Sequence, residues 1–61
     1  MSEKLLELHS AWGDSHNAAD KLQEAITTWK ANDMGMVRFQ LIEAEQRLAV
    51  ALAKVQGLLI A

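Results

Sequence analysis

Large and small apolar residues recur along the first half of the chain at Leu5, Leu8, Trp12, Ala19, Leu22, Ile26 and Trp29, with Ser15 as the one polar member. The steps alternate between three and four throughout. The second half repeats the pattern at Val37, Leu41, Ala44, Leu48, Ala51, Val55 and Leu58. Such spacing places each set on one side of an α-helix. The two ladders are separated by Asn32-Asp33-Met34-Gly35. The pattern predicts a single domain over 1–61: a first helix over about 3–31, a turn at 32–35 and a second helix over about 34–60. At 1.5 Å per residue both helices come to about 40 Å. Equal lengths and a short connection favour an antiparallel pair, so the expected fold class is all-α, a two-helix hairpin.

The boundaries have recognisable chemistry. Ser2 is a good N-cap, and Glu3 sits favourably at the positive end of the helix dipole. Gly13-Asp14-Ser15 is the weak point: glycine costs about 1 kcal/mol against alanine inside a helix, and Asp14 or Ser15 could cap a new start. The ladder keeps its phase across Gly13, which favours one continuous helix, bent there at most. Asn32 tolerates the left-handed conformation that ends helices, and Asp33 can cap the next one. Gly35 leaves an alternative in which the second helix starts at Met36.

The small residues bear on how the pair packs. Ala11, Ala18 and Ala25 lie seven apart beside the first ladder, and Ala44 and Ala51 lie within the second. Alanine at that spacing permits close helix approach, with Trp12 and Trp29 expected to fill wider layers of the core. Ser15 is read as a small side chain bonding to its own helix. Behind its ladder the first helix is polar, with Glu3, Glu7, Ser10, Asp14, Asn17, Lys21 and Glu24. The second carries another apolar stripe there, at Phe39, Ile42, Ala49, Ala53 and Ile60 with Val50 beside it. A helix that is apolar nearly all round is buried. The second helix is therefore expected to pack on the first with one side, and on another copy or a partner with the other. A homodimeric four-helix bundle is the expected assembly, with a higher helical oligomer next.

Composition narrows the function without naming it. Sixty-one residues give little interior to offset conformational entropy, and short chains commonly rely on disulfides, metals or oligomerisation. There is no cysteine, which excludes disulfides and thiolate metal sites, while 51% of the residues are apolar, ample for assembly. The formal charge of −2 gives no basic patch for a nucleic acid polymer. The start, Met-Ser-Glu-Lys, lacks a signal peptide's basic and apolar regions. The run Leu48–Ala61 is broken by Lys54 and Gln56 and falls short of the roughly 20 residues a membrane span needs. A cytoplasmic protein without a membrane association is expected.

No catalytic constellation stands out. Ser2, Ser10 and Ser15 have no oxyanion-hole signature, and no glycine-rich phosphate loop is present. Glu43 and Glu45 sit on a helix without the cleft that acid–base catalysis needs. Glu43 with Arg47 has the spacing of a helical ion pair. His9 and His16 lie seven apart, about 10 Å along one helix, too far to share a metal ion. Ligation would need His16 with Asp20 and residues from another chain. Neither a metal nor a cofactor is expected. Arg38, Arg47 and Lys54 border the second ladder and read as a rim that snorkels over an interface. With only Phe39 beside the two tryptophans, no aromatic array exists for stacking single-stranded nucleic acid.

These readings point to a non-catalytic, homo-oligomeric helical interaction protein. It would be an adaptor, assembly factor or inhibitor contacting itself or a protein target through Phe39, Ile42, Val50, Ala53 and Ile60. The alternative is an oligomeric sponge that holds a small anionic ligand or signalling nucleotide between subunits, using Lys30, Asn32 and Arg38. In architecture alone, the layout resembles small plasmid- and phage-encoded hairpin proteins. Some of those are RNA-binding dimers and others are sponges for signalling nucleotides; the acidic balance counts against the RNA binder.

Overall fold

In the computed structural model, which describes residues 2–60, the chain forms two α-helices, α1 (Glu3–Lys30) and α2 (Met34–Ile60), packed antiparallel. The Ser2 hydroxyl accepts a hydrogen bond from the Leu5 amide at 3.2 Å, satisfying one of the free donors at the start of α1. α1 then runs unbroken through Gly13. Its end is closed by Asn32, which has φ 62°. The Asn32 amide donates to the Trp29 carbonyl at 2.8 Å, and the Asp33 amide reaches the Thr28 carbonyl at 3.3 Å. That is the Schellman pattern, with asparagine at the left-handed position in place of glycine. Asp33 serves both helices, because its carboxylate Oδ1 accepts from the Met36 amide at 3.2 Å as the N-cap of α2. The second helix accordingly begins at Met34 and not at Met36, and Gly35 lies within its first turn.

The buried residues are Ala11, Ala18 and Ala25 on α1, and Val37, Ala44 and Ala51 on α2. In a two-helix molecule a side chain can be buried only by the other helix, so these six define the seam. They recur every seven residues on both helices, as a coiled-coil stripe does. Their small side chains let the two backbones approach closely. This corrects the expected packing. No member of the first ladder is buried: Trp12 is 68% exposed and Trp29 58% exposed. Of the second ladder, Val37, Ala44 and Ala51 enter the seam, while Leu41, Leu48 and Val55 stay outside it. Alanines win the seam because one helix can bury only one stripe against one neighbour, and bulky side chains there would force the helices apart.

The seam separates two unlike faces. On one, Lys54 Nζ crosses from α2 to donate to Ser10 Oγ and Asp14 Oδ2 of α1, each at 2.6 Å. Lys21 bridges Glu24 on its own helix at 3.2 Å and Glu43 across the seam at 3.6 Å. Glu43 is thus engaged by Lys21, not by Arg47. Of the polar set expected behind the first helix, Ser10, Asp14 and Lys21 lie beside the seam instead, where they tie the hairpin together. At 100° per residue, the Leu8–Leu22–Trp29 and Leu5–Trp12–Ile26 lines of α1 fall on the opposite side of the seam from Asp14 and Lys21. The Leu41–Leu48–Val55 line of α2 falls on that same side. No helix among the described residues is long and apolar enough to cross a membrane.

The resulting shape is a ribbon of 45 × 18 × 11 Å. Its radius of gyration is 14.1 Å, against about 10.5 Å for a globular chain of this length. Its accessible surface is 4737 Å², where about 4,000 Å² is typical of a folded monomer of this mass.

Candidate interaction surface

Most of the large apolar side chains of the two helices gather on one face of this ribbon. A shallow groove there is lined by Leu22, Ala25, Ile26, Trp29, Lys30 and Leu41, so it draws on both helices at once. A second continues from Leu22 and Leu41 along Ala44, Glu45, Leu48, Ala49 and Leu52. A third, at the turn end, adds Met34, Val37, Arg38 and Ile42 beside Trp29. Because neighbouring grooves share Leu22, Leu41 and Trp29, the face is continuous. Leu5, Leu8 and Trp12 extend it toward the open end of the hairpin. Apart from Val37, which is buried in the seam, the large apolar side chains of this face are exposed by roughly two-fifths or more of their surface. Together they present on the order of 1,000 Å² of apolar surface, well beyond the few hundred that soluble monomers usually carry in one patch.

The sequence singled out a different surface, and the structure places it beside this one. Phe39, Ala53 and Ile60 follow one line on the back of α2, turned away from α1, with Ile42 and Val50 on either side of that line. All are exposed, Ile60 at 89% and Phe39 at 60%. Ile42 also lines the turn-end groove and so joins the two surfaces. Sequence reasoning missed Leu52 and Met34 as members of the larger face. Their signal was present: Leu52 stands four residues after Leu48, and Met34 seven residues before Leu41, on lines that belong to the same side.

Lys30 and Arg38, the proposed anion-binding cations, line different grooves that meet at Trp29 and Leu41. They therefore flank the turn end of the apolar face. Asn32 has a backbone role, as the left-handed closure of α1, and no side-chain bond draws it toward either cation.

The polar chemistry is local. Trp12 and His16 stack with ring centroids 5.5 Å apart and planes 11° from parallel. His16 Nε2 lies 4.0 Å from Asp20 Oδ2 one turn on, with both side chains exposed. Ser15 Oγ donates to the Trp12 carbonyl at 2.8 Å, using its hydroxyl within its own helix. Among the described residues no three histidine, aspartate or glutamate side chains come together as metal ligands would. Lys21 is held charged above its ordinary value of 10.5, first by its hydrogen bond to Glu24 and then by the charges of Glu24 and Glu43.

Comparison with protein-family models, with curated proteins and with solved structures finds no significant match.

Proposed function

We propose that the protein is a non-catalytic helical interaction module that works as a homo-oligomer, in the first instance a dimer whose two hairpins pack into a four-helix bundle. The observation that carries this reading is the continuous exposed face built from Leu8, Trp12, Leu22, Ile26 and Trp29 of α1 with Leu41, Leu48 and Leu52 of α2. Its footprint, set by a ribbon 45 Å long and 18 Å wide, matches the roughly 800 Å² per partner that a standard stable interface uses. The seam by itself is a weak anchor. A buried methyl group contributes about 0.8 kcal/mol, and five of the six seam residues are alanines. Association supplies the missing burial. With the large face occupied, the back stripe of Phe39, Ile42, Val50, Ala53 and Ile60 is left outward as the surface for a protein target. The module would then act as an adaptor, assembly factor or inhibitor.

The test uses residues that the isolated hairpin does not need. Leu22→Glu combined with Leu48→Glu should leave helicity near the wild-type value and turn a sedimenting dimer into a monomer. A wild-type protein that stays monomeric at hundreds of micromolar would sink the proposal. Phe39→Asp with Ile60→Asp should keep the assembly and lose the target.

A second reading draws on the cations at the turn end. Lys30 and Arg38 flank an apolar groove at Trp29, and a guanidinium beside an indole could hold a small anionic ligand such as a nucleotide. Arg38→Ala should then abolish nucleotide binding measured by calorimetry; equal binding by the variant would rule the site out.

A further inference from the structure

We infer that the two hairpins of the dimer lie with their turns at opposite ends, related by a two-fold axis that crosses the apolar face at the height of Asn17 and Leu48. This rests on the self-association proposed above and adds its geometry. The first argument is the distribution of side-chain size along α1. About a centre at Asn17, the ladder pairs Ser15 with Ala19, Trp12 with Leu22, Leu8 with Ile26 and Leu5 with Trp29. A second copy of α1 laid antiparallel on the first therefore sets small against small at the middle. Large side chains meet large ones in every other layer. On α2 the corresponding centre is Leu48, which pairs with itself, while Leu41 pairs with Val55.

The second argument is that these two centres, read from separate helices, stand at the same height in the folded hairpin. Two ion pairs cross the seam: Asp14 with Lys54 and Lys21 with Glu43. Asn17 falls midway between Asp14 and Lys21, and Leu48 falls midway between Glu43 and Lys54, to the nearest residue. A regular three-and-four ladder always has a centre of some kind, and in a hairpin of helices with 28 and 27 residues the two centres come to the same height. One axis perpendicular to the helices then serves both. At its middle layer the closely approaching Ser15 and Ala19 are offset by the bulkier Leu48 pair, which keeps the bundle evenly filled.

Charge argues the same way. The other two-fold packing puts both turns at one end and lays α1 of one copy on α2 of the other. Lys30, beside Trp29, would then sit against Arg38 of the second copy, and again by symmetry, with no carboxylate of the apolar face closer than Glu45. Like charges apposed at an interface cost affinity. With the turns opposed, Lys30 and Arg38 of the two copies separate to opposite ends, and Lys30 comes to the level of Lys4 of the second copy, where Glu3 and Glu7 supply carboxylates that the same-end packing lacks.

The chain has no cysteine, so a single label site can be introduced cleanly at Ala31→Cys, an exposed position at the end of α1. Dipolar electron resonance on the spin-labelled dimer should give a separation near the 45 Å length of the ribbon. Mixing this protein with a copy labelled at Lys4→Cys, at the open end, should give a short distance between unlike labels. A dimer in which the Ala31 labels lie within about 20 Å, as helices 8–10 Å apart at one end would place them, overturns the inference and leaves self-association standing. A dimer-sized species with the long distance supports both. A monomeric mass by sedimentation, with no dipolar coupling, overturns both. A tetramer or hexamer with several distances overturns the two-fold dimer.

Discussion

Asn32 carries the reversal of the chain. Its φ of 62° lies in the left-handed region, where a β-branched side chain is strained and glycine is not. Asn32→Val should therefore destabilise the hairpin by about 1–2 kcal/mol, whereas Asn32→Gly should change it by a few tenths only; chemical denaturation of both variants checks this. Lys21 makes a prediction about pH. Its charged form is stabilised in the folded state by Glu24 and Glu43, so its contribution is complete below the unfolded-state value of 10.5 and fades as pH rises through the higher folded-state value. Melting temperatures followed from pH 9 upward should fall less steeply in Lys21→Met than in the wild type. Identical alkaline slopes would show that the Lys21 bridges contribute nothing to folding.

Among the elements, α1 shows most clearly how a sequence pattern is divided between folding and assembly. Its seam line, Ala11, Ala18 and Ala25, is fully covered by α2, with Ala18 at 0% exposure. Enlarging that position leaves the helices no space to close, so Ala18→Leu should cost about 1–3 kcal/mol despite the better burial that leucine offers elsewhere. Gly13 is the opposite case. A methyl group there meets nothing within 4 Å, and its φ is in the helical range. Gly13→Ala should stabilise the protein by about 0.5–1 kcal/mol, read as a shift in the denaturation midpoint at unchanged slope. Ser15 and Ala19, small as the seam alanines are, lie on the exposed line. Their size only acquires a meaning if another helix approaches there.

For the whole molecule, a ribbon 11 Å thick has no interior beyond its seam. Folding and association should accordingly be linked. If the hairpin folds alone and dimerisation stabilises it, the melting temperature rises with protein concentration, each tenfold increase adding up to about 1.4 kcal/mol per mole of dimer. A scan from micromolar to millimolar in differential scanning calorimetry should show that rise in the wild type. It should disappear in the Leu22→Glu, Leu48→Glu variant, which unfolds at a fixed and lower temperature. A wild-type melting temperature independent of concentration would mean that the seam and its ion pairs are sufficient.

Local chemistry alone determined the two helices, their hairpin connection and the caps at Ser2, Asn32 and Asp33, because each of these depends on residues within a few positions of one another. The periodicity also determined which residues are amphipathic and that more apolar surface exists than one hairpin can bury. It did not determine which stripe meets which. Two candidate faces on α1, the leucine–tryptophan ladder and the alanine line beside it, differ by a fraction of a helical turn, and hydrophobicity ranks the ladder first. Tertiary packing chose the alanines, since contact between only two helices rewards close approach and the flanking pairs Asp14–Lys54 and Lys21–Glu43 fix the rotation of each helix. That rotation turned both sets of large side chains to one side and so made a single composite face out of two separate patterns.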